Sequence, residues 1–252
     1  KFQLCALAES GFDPLARTTK FMLTEEAHHM FVGESGVSRI IQRCCQVMNE
    51  LGTDDPARLR AAGVIDLPTI QRYLNFHFSV TIDLFGADES SNAATFYNAG
   101  LKGRFEETKR DDDHRLRGRN YPVLVGQDGR LVEHEVPMLN ALNEVLRDDF
   151  IRDSISGIGR WNRVIEKAGL PFRLQAPHKG FNRRIGSLAG LRVSPEGRVV
   201  DQAEWAQREH EWLPSAADRE YLLSIMAAPV YERGRFANYI APPRRGVNRQ
   251  PV

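Results

Sequence analysis

The sequence is poor in the features that assign a function at sight. It holds three cysteines in 252 residues, Cys5, Cys44 and Cys45. The number is odd and two of the three are adjacent, which excludes an ordinary disulfide framework and points to reduced thiols in a cytoplasmic protein. No apolar run approaches the roughly 18 residues of a membrane span. The opening residues 2–8 also lack the basic leader of a signal peptide, so no membrane partner is expected. Charge of one sign is not in excess: Lys+Arg 34 against Asp+Glu 33 leaves +1. That balance excludes a polyanion binder acting through overall charge, and no nucleic-acid partner is expected. No Gly-x-Ser-x-Gly elbow, Walker loop or Gly-x-Gly-x-x-Gly fingerprint occurs, which weighs against hydrolase, NTPase and nucleotide-dehydrogenase chemistry. There is no internal repeat and no low-complexity tract.

What remains is an ordinary globular composition, 42% hydrophobic and 27% charged, long enough for one large or two small domains with a substantial core. The periodicity is mostly helical. Residues 2–10 read as a helix stopped by Gly11. Asp13-Pro14 is a start signal, Asp capping and Pro at the first helical position, for a helix through Met30 and Val32. Gly33 and Gly36 are expected to interrupt it before apolar residues resume at Val37, Ile40, Ile41, Val47, Met48 and Leu51. Further helices are expected over 58–64, 67–84, 90–105, 137–154, 161–168, 202–212 and 216–227. Two alternating runs flank Gly126-Gln127-Asp128-Gly129 and predict a β-hairpin over 121–136, with a second small one at 193–199.

The segment Thr24-Glu25-Glu26-Ala27-His28-His29-Met30-Phe31 carries the most chemistry. It contains two overlapping Glu-x-x-His pairs, Glu25/His28 and Glu26/His29. Residues i and i+3 share a helix face, so each pair can offer a carboxylate and an imidazole to one ion. Such pairs are the ligand module of carboxylate-bridged di-iron and di-manganese bundles, and the donor set suits those metals. Glu25 and His28 share a face with Phe21, Met22 and Val32, which favours them over Glu26/His29. The competing reading is a charged surface helix.

Asp111/His114 repeats the i, i+3 spacing, and Asp83 could add a carboxylate from the preceding helix. Their surroundings, Glu106 to Arg117, have the composition of a solvated loop. Basic clusters at 115–119, 178–184 and 244–245 are either solubilising or a phosphate clamp.

Longer strings point further. Ala-Glu-Ser-Gly-Phe-Asp-Pro-Leu-Ala-Arg at 8–17, Thr-Glu-Glu-Ala-His-His-Met-Phe-Val-Gly-Glu-Ser-Gly at 24–36, Val-Pro-Met-Leu-Asn-Ala-Leu-Asn at 136–143, Gly-Arg-Trp-Asn at 159–162 and the tail strings at 241–243 and 246–248 resemble the benzoyl-CoA 2,3-epoxidase family, oxygenase component. The likeness runs over essentially the whole chain. It implies a di-iron monooxygenase of aerobic benzoate degradation that epoxidises the ring of benzoyl-CoA with O2. Electrons would come from NADPH through a separate reductase carrying FAD and an iron–sulfur centre. It implies two iron ions with Glu25 and His28 among their ligands, and leaves Glu26 and His29 without an assigned part.

The family's oxygenase is about twice this length. The chain, which opens at Lys1 as if inside a helix, is accordingly expected to be its C-terminal half, with the other ligands upstream of Lys1. Glu9 is the only acidic residue on the helix before Glu25. The fold class expected is mainly α: part of a ferritin-like di-iron bundle over 1–110, then a mixed helical extension over 111–252 with one or two small hairpins. Alone, the chain is expected to be inactive. Two alternatives stand beside this: another ferritin-like di-iron or di-manganese oxidase or desaturase whose site is completed by Asp83, Asp111 and His114, and a non-catalytic helical docking module.

Overall fold

The computed structural model of the chain describes residues 1–103, 118–227, 237–243 and 245. The described part is mainly helical with one antiparallel hairpin. Its elements in order are α1 (Phe2–Ala8), α2 (Asp13–Leu51), α3 (Pro56–Ala61), α4 (Leu67–Asp83), α5 (Ser91–Asn98), β1 (Asn120–Gln127), β2 (Arg130–Pro137), α6 (Leu142–Lys167), a 3-10 turn (Ser187–Gly190), α7 (Gln202–Trp212) and α8 (Ala216–Met226). Two compact units are interleaved along the chain. The first comprises Lys1–Met30, His77–Ser154 and Pro177–Gln207, the second Phe31–Phe76, Ile155–Ala176 and Arg208–Val252. The domain boundary expected near residue 110 falls outside the described residues. Among those described, no helix is long and apolar enough to cross a membrane.

Local signals fix most helix starts. Asp55 caps α3, accepting the Ala57 N–H at 3.0 Å with Pro56 at the first helical position. Ser90 caps α5, and Ser215 with Asp218 forms a reciprocal capping box at α8. Four expectations are corrected. α2 is one continuous helix of 39 residues, not two broken at Gly33 and Gly36. α6 likewise runs 26 residues through Gly157 and Gly159, merging two expected helices. A mid-helix glycine costs about 1 kcal/mol, a local penalty outweighed by the buried residues that anchor each helix, Ile41, Cys44, Cys45 and Met48 in α2 and Val145, Leu146, Ile158 and Ile165 in α6. α5 ends at Asn98 rather than near 105, because Gly100 takes a positive φ of 68°. Asp13 lies inside the first turn of α2 and pairs with Arg17 at 2.6 Å rather than capping.

In the first unit, Phe150 of α6 gathers Phe2, Phe78 and Phe85 at ring separations of 6.3, 5.8 and 5.7 Å. The hairpin pairs Asn120 with Pro137 through to Gln127 with Arg130. Its two-residue turn puts Asp128 and Gly129 at φ 49° and 73°, the left-handed region that the Asp-Gly signal anticipates. Val123, Val136 and Ala141 form a small apolar cluster of their own beneath it. The second expected hairpin is reduced to a single bridge, Val193 with Val199.

In the second unit, Ile41, Cys44, Cys45 and Met48 of α2 pack with Leu59, Leu67, Ile70, Ile158, Ile165 and Leu174. Cys44 and Cys45 form no disulfide and serve as core residues. Burial pushes the Cys44 thiol up to about 12 and Cys45 to about 11.

Candidate metal centre

The structure places both Glu-x-x-His pairs on the N-terminal half of α2. Glu25 and His28 are exposed, one helical turn apart on one face. Glu26 and His29 approach each other at 3.6 Å, and the His28 and His29 rings lie 6.4 Å apart. The apolar residues around them are exposed as well: Phe21 at 73%, Met22 at 47%, Phe31 at 69% and Val32 at 50%. A run of large apolar side chains left in water on a helix face is unusual and marks a surface that meets something. A carboxylate and an imidazole at this spacing fit part of a coordination sphere for iron or manganese. They do not make a whole one: among the described residues no group of three or more His, Cys, Asp or Glu could hold a metal ion. Glu9, the acidic residue of the preceding helix, is exposed at the C-cap of α1.

The alternative ligand set is not assembled among these residues. Asp111 and His114 lie outside the described residues. Asp83 is buried, and both its oxygens are engaged: Oδ1 accepts from Arg183 Nε at 2.6 Å and Oδ2 from the Arg184 backbone N–H at 2.9 Å. Asp83 is therefore an ion-pair partner inside the fold.

The basic cluster at 178–184 is explained by the same packing. Arg183 is buried against Asp83 and Asp88, the latter at 3.2 Å. Lys179 reaches Glu144 at 2.8 Å and Asp148 at 3.3 Å. Burial alone would lower the Lys179 pKa, but these two carboxylates hold it above the ordinary lysine range. Burial and the neighbouring Lys179 lower the His178 pKa from its ordinary value, and its Nδ1 accepts the Gly180 N–H at 3.1 Å. Only Arg184 of the cluster's arginines faces solvent. Of the other two clusters, Arg119 and Arg245 are exposed, and Arg115, Leu116, Arg117 and Arg244 lie outside the described residues.

At the centre of this network is Arg147, fully buried. It donates to Glu144, to Asp88 at 3.2 Å and to the Gly86 carbonyl at 2.6 Å. Asp88 in turn accepts the Ser187 N–H and hydroxyl, and Ser187 Oγ accepts the Gly126 N–H at 3.0 Å, which ties the hairpin to the network. Tyr121 donates to Asp148 at 2.9 Å; burial and that carboxylate push its phenol well above the usual range. Sequence reading missed this assembly. The one signal was the opposite charges of Glu144 and Arg147 at i, i+3 near the start of α6.

No family model matches the chain. It is 61% identical over all 252 of its residues to a protein named benzoyl-CoA oxygenase component B from Aromatoleum evansii. The chain spans about half of that relative, 53% of its length.

Proposed function

We propose that this chain is part of the oxygenase component of a benzoyl-CoA oxygenase and that Glu25 and His28 are iron ligands in it. The observation that carries the reading is the 61% identity over the whole chain to benzoyl-CoA oxygenase component B. The exposed carboxylate–imidazole pair on an exposed apolar helix face supports it. A di-iron site of the four-helix type draws ligands from several helices, and this chain offers one exposed pair on one helix. The remaining ligands then belong to the part of the oxygenase that this chain does not cover, and the face carrying Phe21 and Met22 packs against it. The name "component B" implies a partner component, and in this reading that partner is a reductase passing electrons from NADPH through FAD and an iron–sulfur centre.

Bound iron would supply oxygen activation, and the substrate consistent with the relative's name is benzoyl-CoA, epoxidised on its ring. The part left to this chain is definite. Glu25 supplies an anionic oxygen donor and His28 a neutral nitrogen donor, held one turn apart by the helix. Phe21, Met22 and Val32 keep that side apolar and exclude water once the face is covered.

The test is substitution in the full-length oxygenase. His28→Ala and Glu25→Gln should each lower iron per chain and abolish benzoyl-CoA-dependent oxygen uptake with the reductase and NADPH. Helix content should stay the same, since both residues are exposed and alanine is a good helix former. His29→Ala is the neighbouring control and should keep most of the iron. Full iron and full turnover in His28→Ala would overturn the ligand assignment. Iron with no response to benzoyl-CoA would overturn the substrate.

A further inference from the structure

Part of the buried ion network holds one short loop, residues 183–187, against the end of α4. At its first end Arg183 donates from Nε to Asp83 at 2.6 Å and from Nη2 to Asp88 at 3.2 Å, and the Arg184 N–H donates to Asp83 at 2.9 Å. At its other end Ser187 donates to Asp88 Oδ2 from its N–H at 3.0 Å and from its hydroxyl at 3.1 Å. Between them Gly186 takes a φ of 79°, and a Cβ built there would collide with the Asp88 carboxylate. Asp83 and Asp88 are buried, and the loop and both carboxylates belong to the first unit.

The tip fixed in this way faces solvent. Arg184 is exposed, and its guanidinium has no ion-pair partner among the described residues. Ile185 is 41% exposed. Ser79 and Asp83 of α4 receive the loop, Ser79 Oγ accepting from Asn182 Nδ2 at 3.2 Å. One position further round the helix stand Val80, 37% exposed, and Leu84, just past its end, 74% exposed. Over residues 77–86 and 182–188, Arg184 is the only exposed side chain with a formal charge, His77 counted as neutral. The face is thus apolar with one cation, carried on a loop that is already ordered. Loops held on a rigid scaffold are common carriers of recognition, and arginine is enriched at the energetic centres of interfaces. A preordered loop also loses little entropy when it binds.

We propose that Val80, Leu84, Arg184 and Ile185 form a docking face for the partner component of the oxygenase, which meets it with a carboxylate set among apolar side chains. The charge decides the partner's chemistry. A carboxylate that reaches the Arg184 guanidinium forms a forked pair, whereas a cation or a wholly apolar surface would strand it. A second copy of this chain, related by a two-fold axis through the face, would set Arg184 against Arg184, which argues against self-association. The identity of the partner rests on the oxygenase reading above; the chemistry of docking does not.

The test uses the full-length oxygenase with NADPH and titrates the reductase against benzoyl-CoA-dependent oxygen uptake. Arg184→Glu should raise the half-saturating reductase concentration about tenfold or more and leave the maximal rate unchanged. Arg184→Lys, which keeps the charge without the fork, should raise it less. Leu84→Gln/Ile185→Gln should raise it severalfold. Arg130→Glu, the same charge change at the exposed hairpin turn, should behave as the parent. Added salt should weaken the parent's coupling and affect that of Arg184→Glu much less. Unchanged half-saturation in Arg184→Glu, or a fall in its maximal rate instead, overturns the docking face. Dissociation of the oxygenase in sedimentation, or a lowered melting temperature in the apolar double variant, would make the face a contact within the oxygenase and overturn it equally. A parent that takes no electrons from the reductase overturns the oxygenase reading, and the partner with it.

Discussion

Replacing Arg147 with methionine should remove the organising cation of the first unit. The buried network holds three cations, Arg147, Arg183 and Lys179, against four carboxylates, Asp83, Asp88, Glu144 and Asp148. Methionine matches the aliphatic stem but leaves two cations for the four carboxylates. Glu144 keeps Lys179 and Asp88 keeps Arg183, but the side of each that faces Arg147 is stranded in a site with no access to water. The Gly86 carbonyl loses its partner as well. Breaking one side of a buried ion pair costs about 3–5 kcal/mol. For a chain of this size each kcal/mol lowers the melting temperature by roughly 2–4 °C, so the fall should be roughly 6–20 °C. The assay is thermal unfolding at pH 7 followed by circular dichroism. Arg147→Lys keeps the charge but loses the planar fork that spans Glu144, Asp88 and Gly86, and should fall between. Arg184→Ala, at the exposed end of the same basic cluster, should change stability by less than about 0.5 kcal/mol. A loss below about 1 kcal/mol in Arg147→Met would refute the argument that these charges are mutually dependent.

Asp218 gives a pH-dependent counterpart in the second unit. Burial alone would raise its pKa, but hydrogen bonds from Arg72, the Ser215 backbone N–H and Arg60 outweigh that and hold the carboxyl far below the usual range. A depressed folded-state pKa contributes stability that is present above the unfolded value near 4 and is lost as pH falls below it. Asp218→Asn should therefore be clearly less stable than the parent at pH 7, with the gap narrowing towards pH 2 in urea titrations; a gap independent of pH would contradict the linkage. Gly126→Ala tests the hairpin's seat. Its Cβ would stand 2.6 Å from the Ser187 carbonyl oxygen and 2.9 Å from Leu191 Cδ1, so the strand must shift, at a cost of about 1–3 kcal/mol. Unfolding midpoints of this variant and of Gly129→Ala separate that close approach from turn strain.

Why some of this was legible follows from range. Asp55-Pro56, Ser90 and Ser215 announce helix starts because a cap is satisfied within three residues, and the Asp-Gly hairpin is equally local. The glycines of α2 and α6 misled because their cost is also local and small, while the packing that overrides it is not. The ion network was invisible for the same reason. Arg183 meets Asp83 across 100 residues and Arg147 meets Asp88 across 59, and no spacing rule reaches that far. Residues 178–184 read as a free basic patch because their neutralising carboxylates are scattered over α4, α6 and the intervening loop. The phosphate clamp suggested there is used up by the fold.

The proposed ligand pair is the reverse case: its spacing is local and readable, and the described residues complete no site around it. The C-terminal half of α2 is anchored by Ile41, Cys44, Cys45, Val47 and Met48, all buried. The same helix continues upstream with Phe21, Met22, Phe31 and Val32 in water. Each of these side chains is worth roughly 1.5–3 kcal/mol when fully buried, so leaving four of them exposed forgoes more stability than a small surface feature can explain. A helix of this length is not kept straight by propensity alone but by what packs on it. Its exposed half carries two carboxylates and two imidazoles at metal-ligand spacing, and hydrated charges have no need of phenylalanine neighbours. The two facts become compatible if the face is covered by further protein that buries the apolar residues and supplies more oxygen donors to the charged ones. Covering without an ion would strand Glu25 in an apolar seam; covering with one satisfies both, and the metal assignment and the missing partner surface then stand or fall together.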